Sequence, residues 1–334
     1  MKVSPEVVIA AAVVWLPRHR ERPDLPDGAE AGYDEVAVAE GHSGPELAVL
    51  AGEAALASSG WSGADLDLVA HAWSYHQGHD FWSPAHFVAD RLGAPAALPL
   101  GVQQMCNGGA AALQTAVAHL VADPAVERAL VTTGDRFCGP GFSRWTGDYG
   151  AVYGDSGTAV LLSRGRPEDA RLRLLSIVTV AAPELERMNR GDDPFTPAPR
   201  WYRPAVDARA TKKAFLRTSA PGLFGATERE KIRRAVTGAL ADACVAPDDP
   251  RLTRAVLPRL HRGALDGVYR PLLAELTTAE PVDPGHVTGH LGAGDLGANL
   301  AAVAEGATAG RGELALVLSA GAGFSWSAAV VEVV

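Results

Sequence analysis

Apolar positions along the chain form short runs that alternate with helix-periodic stretches. The first run, residues 7–16, is rich in β-branched residues, ends in Pro-Arg and predicts a strand. A helix is predicted over 44–59, followed by the acidic turn SGADLD and a buried-type strand over 68–73. An Ala-rich helix over 108–122 and strands over 129–133 and 158–162 complete this series. The order then repeats: strand 172–180, helix 228–244, the acidic turn APDDPRL, strand 254–260, small-residue helix 294–306, and strands 314–318 and 327–333. Strands alternating with helices imply parallel sheets covered on both faces, so the chain reads as a duplicated α/β unit with halves 1–166 and 167–334. A stretch rich in Pro, Arg and aromatics, 183–222, breaks the symmetry and is expected on the surface, shaping a substrate entrance.

Two of the predicted helices, AAALQTAVAHLVA and AGDLGANLAAVAEG, have no bulky face. Such helices admit close approach and are expected between layers, with their N-termini near the molecular centre.

Composition narrows the class. Of 334 residues, 47% are hydrophobic and 21% charged, which is ample for a folded core. The net charge of −9, with no long Lys/Arg block, argues against nucleic acid and against anionic membrane surfaces. The run at 7–16 is too short to span a bilayer. Three cysteines, none in a CxxC pair, exclude a disulfide scaffold and a Cys-rich zinc site. A cytoplasmic protein with reduced thiols is expected.

Cys106 carries the strongest chemical signal. In PLGVQQMCNGGAAAL a strand-like approach ends at the cysteine, and two glycines open the Ala-rich helix. The sulfur then sits at a helix N-terminus, where unsatisfied N–H groups and the helix dipole favour a thiolate nucleophile. Cys138 and Cys244 lack that setting and are read as inert packing. His261 follows the predicted strand 254–260, at the carboxyl end where α/β sheets build their sites, and could shuttle a proton. Gly292, Gly294 and Gly297 spell GxGxxG, but the polar, Pro/Gly-broken stretch before them supplies no strand. Dinucleotide binding is therefore not expected, and these glycines are read as letting the backbone approach the reacting centre. His76, His79 and His86 lie in AWSYHQGHDFWSPAHF with no carboxylate or cysteine completing a ligand set, so no metal is expected.

Four segments, in order, carry a family likeness. GVQQMCNGGAAALQTAVAHL resembles the active-site stretch of β-ketoacyl-ACP synthase III enzymes of the thiolase superfamily. YGAVYGDSGTAVLL looks like that family's strand entry, AVLPRLHRGALDGVY like its histidine segment, and LSAGAGFSWSAAVVEV like its C-terminal Gly-rich turn and last strand. The resemblance implies a thiolase-like five-layer αβαβα sandwich and a homodimer. It also implies an acyl thioester donor, either coenzyme A or acyl carrier protein, and no cofactor. It makes Cys106 the nucleophile and His261 the histidine. Cys106 and Ala322 become the backbone oxyanion donors, and Phe81 or Trp82 the aromatic that reaches across the dimer.

Departures from the pattern shape the functional expectation. The Pro and Asn that flank the family's histidine are missing around His261. His290 stands where condensing members carry the asparagine of the decarboxylation site. Asp295 replaces a small neutral residue and is either a carboxylate orienting His261 or a helix N-cap. The stretch YDEVAVAEGHSGPEL lacks the Trp and Arg that clamp adenine in members loading from coenzyme A. Arg209, Lys212, Lys213 and Arg217 form a basic cluster, suited to an acidic carrier protein or simply a solvated face. The expected function is acyl transfer to a hydroxyl or amine acceptor in specialised metabolism. A decarboxylating condensing enzyme and a non-catalytic ketosynthase partner subunit are the alternatives.

Overall fold

The computed structural model describes residues 1–3, 7–23, 32–165, 170–201 and 203–334. The boundary expected at 166/167 lies outside them. The first series runs β1 (Val7–Trp15), β2 (Arg20–Glu21), β3 (Val36–Ala37), α1 (Gly44–Ser59), β4 (Leu68–Ala72), α2 (Pro84–Arg91), β5 (Leu98–Val102), α3 (Gly108–Ala122), β6 (Arg128–Asp135) and β7 (Ser156–Arg164). The second runs β8 (Leu172–Ala181), α4 (Arg187–Arg190), α5 (Ala208–Thr218), α6 (Leu223–Ala243), β9 (Leu252–Val256), α7 (Arg262–Ala264), α8 (Arg270–Leu276), β10 (Glu280–Val282), α9 (Asp295–Ala304), β11 (Leu314–Gly321) and β12 (Ser325–Val333).

The strand order exposes the duplication. The main sheet reads β5-β4-β6-β7-β1 in one half and β10-β9-β11-β12-β8 in the other. Within each half that is third, second, fourth, fifth, first, and the two first strands pair antiparallel through Val8–Arg173 and Ile9–Leu172. The halves are mixed rather than all-parallel as expected. Only β4, β5 and β6, and their counterparts β9, β10 and β11, run parallel. β11 and β12 are joined by a turn too short for a crossover, which forces antiparallel pairing.

Local sequence sets several boundaries. Ser43 opens α1 with a capping box, its N–H and hydroxyl both donating to Glu46 at 2.7 Å. Gly60 closes it in the left-handed region. The sequence missed α2, α8 and β10, which are short or carry proline in their first turn, and α5, which lies inside the Pro/Arg-rich stretch. The stretch 183–222, expected on the surface, contains α4 and α5. β10 supplies a strand before the Gly-rich turn, but it is three residues long and sits at the sheet edge.

Helices α3 and α9 pack between the two halves of the sheet. Leu113, Val117 and Leu120 of α3 and Leu296 and Leu300 of α9 share one core with Val131, Leu162, Ile177 and Val317 from both halves. α1 and α2 cover the outer face of the first half, and α6 and α8 that of the second. These are the five αβαβα layers. Each Leu or Val fully buried there contributes about 1.5–3 kcal/mol, so the middle layer is the densest source of stability. Among the described residues no helix is long and apolar enough to cross a membrane.

The middle layer closes on contacts that only small residues allow. A Cβ on Gly109, in the first turn of α3, would lie 2.4 Å from the Ala293 carbonyl oxygen. Gly109→Ala is therefore expected to cost about 1–3 kcal/mol through overpacking, read as a lower urea midpoint with unchanged m-value.

Candidate active site

Cys106 lies in a single turn between β5 and α3, directly before the Gly108–Gly109 start of that helix. Met105 holds a left-handed backbone (φ 48°), an uncommon conformation for a methionine, and so turns the chain sharply into the cysteine. Asn107 anchors the turn from the other half. Its amide donates to Ser325 Oγ (2.9 Å) and Ser327 Oγ (2.8 Å) and accepts from Ser319 Oγ (2.9 Å). The fully satisfied network ties the nucleophile turn of one half to β11 and β12 of the other.

The histidine facing Cys106 is His290. It is buried on the turn before α9, and its Nδ1 is 2.8 Å from Asp295 Oδ2. The Cys106 thiol interacts with the ring by charge and hydrogen bonding. Because Nδ1 faces the carboxylate, Nε2 is the nitrogen left for sulfur. Burial opposes a charged imidazole, but the Asp295 carboxylate and the Cys106 sulfur outweigh it, so the His290 pKa lies well above the ordinary value. Asp295 also accepts from the backbone N–H of Leu291 (2.9 Å) and of Arg259 (3.1 Å). It begins α9 without capping it, because its oxygens bind the turn and the histidine.

His261 is placed differently from the expectation. β9 ends at Val256, so His261 is not at the strand end. The inward position is taken by Arg259, 3% exposed, which donates to Thr288 Oγ1 (2.7 Å) and the Pro284 carbonyl (3.1 Å). Two residues on, the His261 ring packs edge-on to Tyr33 (6.2 Å) and accepts the Gly263 N–H at Nδ1 (3.0 Å). Leu260 and Ala264 line the cavity beside Cys106, and His261 is not among the residues that do. Asp295 thus orients His290 and not His261. Arg259 and Asn107 are the supporting residues the sequence did not single out. Their only signals were a charge abutting a buried strand and an amide beside the nucleophile.

The cavity beside Cys106 and His290 measures about 320 Å³. Ala322 lines it with Cys106, and a Cβ on neighbouring Gly321 would lie 2.3 Å from the Asn107 nitrogen, so the last-strand turn abuts the nucleophile turn. Tyr153 packs edge-on to His290 (5.2 Å) and donates to Asp148 Oδ2 (3.1 Å). Burial, helped by the nearby Cys106, holds its phenol pKa well above the ordinary value. Asp148 is buried, which opposes its charge, yet the paired Lys212 ammonium holds its pKa below the usual range.

The expected basic cluster is divided, with Lys213 and Arg217 exposed and Lys212 and Arg209 turned to the Asp148 loop. Lys212 pairs with Asp148, Arg209 donates to the Asp148 carbonyl (2.8 Å), and Arg217 faces Asp192 (3.7 Å). Phe81 and Trp82 are exposed on the loop before α2, away from the cavity. His79 packs edge-on to Trp82 (5.3 Å), and His86 Nδ1 is 2.7 Å from Ser83 Oγ. Among the described residues no group of three or more His, Cys, Asp or Glu is arranged to hold a metal. Cys244 is exposed at the end of α6, not packed as expected, and Cys138 is partly buried.

Asp135 braces the site from the first half. Its carboxylate accepts the backbone N–H groups of Ser74, Tyr75 and Ala293 at 2.9–3.0 Å. Burial pushes its pKa up to about 6 in spite of those donors.

No family model matches the chain, and no curated protein matches it. Solved structures do. ChlB3, described as an acyltransferase, is 29% identical with a TM-score of 0.85, covering 98% of each chain. The 3-oxoacyl-[acyl-carrier-protein] synthase III of Aquifex aeolicus VF5 is 19% identical with a TM-score of 0.75, covering 98% of this chain and 99% of that one. AbyA1, a tetronic acid condensing enzyme, is 22% identical with a TM-score of 0.73 over the same shares.

Of the two histidines, His290 lines the cavity with Cys106 and His261 does not. At pH 7, alkylation of Cys106 by iodoacetamide is expected to fall ~10-fold or more in His290→Ala and to stay within ~2-fold in His261→Ala, followed by intact-protein mass. Equal losses in both variants would contradict the assignment.

Proposed function

We propose, for a chain that is a β-ketoacyl-ACP synthase III-like member of the thiolase superfamily, that it is an acyltransferase working through Cys106, His290 and Asp295. The observation that carries this is the buried His290–Asp295 pair set against the Cys106 thiol. Cys106 attacks the carbonyl of an acyl thioester from coenzyme A or an acyl carrier protein, passing its proton to His290. The tetrahedral intermediate collapses, the donor's C–S bond breaks, and His290 returns the proton to the leaving thiol. A hydroxyl or amine acceptor then attacks the acyl-enzyme. His290 takes the acceptor's proton and delivers it to the Cys106 sulfur as the thioester breaks. Asp295 holds the ring by Nδ1 and balances its positive charge in both steps. The backbone N–H groups of Cys106 and Ala322 are the proposed oxyanion donors, each of the kind that lowers such a barrier by about 3–4 kcal/mol.

Decarboxylative condensation is the competing reaction of the same fold. It calls for a second polar donor, beside the histidine, to hold the thioester carbonyl while carbon dioxide leaves. Among the described residues lining this cavity, the only imidazole is that of His290. The buried strand-end position is Arg259, which is spent on Thr288 and Pro284. That arrangement favours transfer. A non-catalytic partner role is disfavoured because a scaffold has no use for a paired cysteine and histidine. The exposed Phe81 and Trp82 loop supports a homodimer as part of this proposal.

Intact-protein mass spectrometry with acyl-CoA and acyl-carrier-protein thioesters is expected to give a mass gain equal to the acyl group, absent in Cys106→Ala. Malonyl thioesters are expected to yield no carbon dioxide, and release in step with product would establish the condensing reaction instead. Asp295→Asn is expected to lower turnover by ~10²–10⁴ while leaving the fold intact by circular dichroism, because the ring loses its orientation and charge partner.

A further inference from the structure

Glu228 stands out against the cavity wall. It lies on α6, on the face that continues through Ile232, Val236 and Ala239 into the hydrophobic core. A helix that buries this face would ordinarily place an apolar residue at 228. Glu228 instead carries a carboxyl group on a residue 8% exposed, and it lines the same cavity as Cys106 and His290. Around it the wall is apolar: Met188, Leu216, Phe224, Phe324 and Trp326. Among the described residues no hydrogen bond or ion pair reaches its carboxylate. The titratable groups set against it are Arg229, which donates to the Gly267 carbonyl (2.9 Å), and the buried Tyr269 phenol, which feels its charge. Asp148 and Lys212, the other charged residues of this cavity, are paired with each other.

A carboxyl group set among apolar walls is costly, and its oxygens, open to the cavity, gain a partner when a ligand carrying a donor fills it. We infer that Glu228 is the hydrogen-bond acceptor for the acyl group held on Cys106, and that the natural acyl group is an apolar, aromatic-compatible body carrying a hydroxyl or amino donor. This rests on the proposed acyl-enzyme, because covalent attachment to Cys106 leaves the acyl group as occupant of the cavity. The walls supply the apolar contact, and Glu228 supplies the one directional contact. Burial pushes the Glu228 pKa up to about 7, with the neighbouring Arg229 only partly opposing it, so the group is ready to accept a donor near neutrality.

The test compares wild type, Glu228→Gln and Glu228→Leu as acceptors of acyl groups from matched N-acetylcysteamine thioesters. Benzoyl and hexanoyl donors are run beside their hydroxylated and aminated counterparts, and Cys106 acylation is followed by intact mass. Wild type is expected to prefer at least one substituted donor over its parent by ~10-fold or more, because an unpaired buried polar group penalises the donor that lacks a partner. Glu228→Leu is expected to lose or reverse that preference while still being acylated by the parents. Acylation of wild type with no preference for substituted donors, unchanged in the Leu variant, overturns the inference and leaves the acyltransferase proposal standing. Absence of any adduct with every donor removes that proposal, and the inference with it. A second measurement needs no substrate. Glu228 binds its proton more tightly folded than unfolded, so wild type loses stability as pH rises from about 4.5 to about 7. Ligand-free Glu228→Leu is expected to melt ~2–4 °C or more above wild type at pH 8, with the gap closing at pH 4.5. An unchanged or lower melting temperature at pH 8 would show that the carboxyl group is satisfied within the fold and would overturn the inference.

Discussion

The approach of α3 to the turn that starts α9 is the constraint on which the site depends. Gly109 meets the Ala293 carbonyl with no room for a Cβ, so the two helices begin side by side in the middle layer. Cys106 immediately precedes one helix, and His290 with Asp295 brackets the start of the other. Asp295 stands in the first turn of α9, where a carboxylate is favoured by the helix dipole. The small residues of these helices thus position the chemistry as well as the core.

Polar groups around the pair are mostly spent on holding it. Asp295 accepts from His290, Leu291 and Arg259, and Asn107 bridges three serines of the opposite half. Asp135 gathers amides from the loop after β4 and from Ala293. Arg144 and Asp155 form a buried ion pair at 3.0 Å, and Asp155 also accepts the N–H groups of Ala39 and Phe137. Networks of this kind cost desolvation and return geometry, because each member has one arrangement that satisfies all partners. The His290 ring is therefore held in one orientation, as the proposed proton transfer requires.

The cavity divides its polarity by position. Cys106 and His290 form one end, Asp148 and Lys212 neutralise each other, and Glu228 sits among aromatic and aliphatic walls. Stability alone would select an apolar residue at 228. An unpartnered acid at that point is the pattern expected where binding, and not folding, has set the residue.

Much of the architecture was legible without coordinates. Helices 44–59 and 108–122 match α1 and α3 to the residue, because Ser43 and Gly60 bound the first and the Gly-Gly pair opens the second. The doubled strand–helix order and the two small-residue helices anticipated the layered fold with its buried central pair. Cys106 was legible from the strand–Cys–Gly–Gly context, since nucleophile and helix start are local features. Short elements such as β10 and α8 were not, because their stability comes from neighbours and not from their own pattern. The histidine was the decisive case. His261 follows an apolar run and His290 a polar, Pro/Gly-broken stretch, so the local pattern favours His261. Only the tertiary structure shows which of them lines the cavity with Cys106, because β9 ends at Val256, Arg259 turns inward and His261 packs against Tyr33. His290 faces Cys106 through a contact between the halves, and such long-range placement is written in packing geometry, not in the residues beside it.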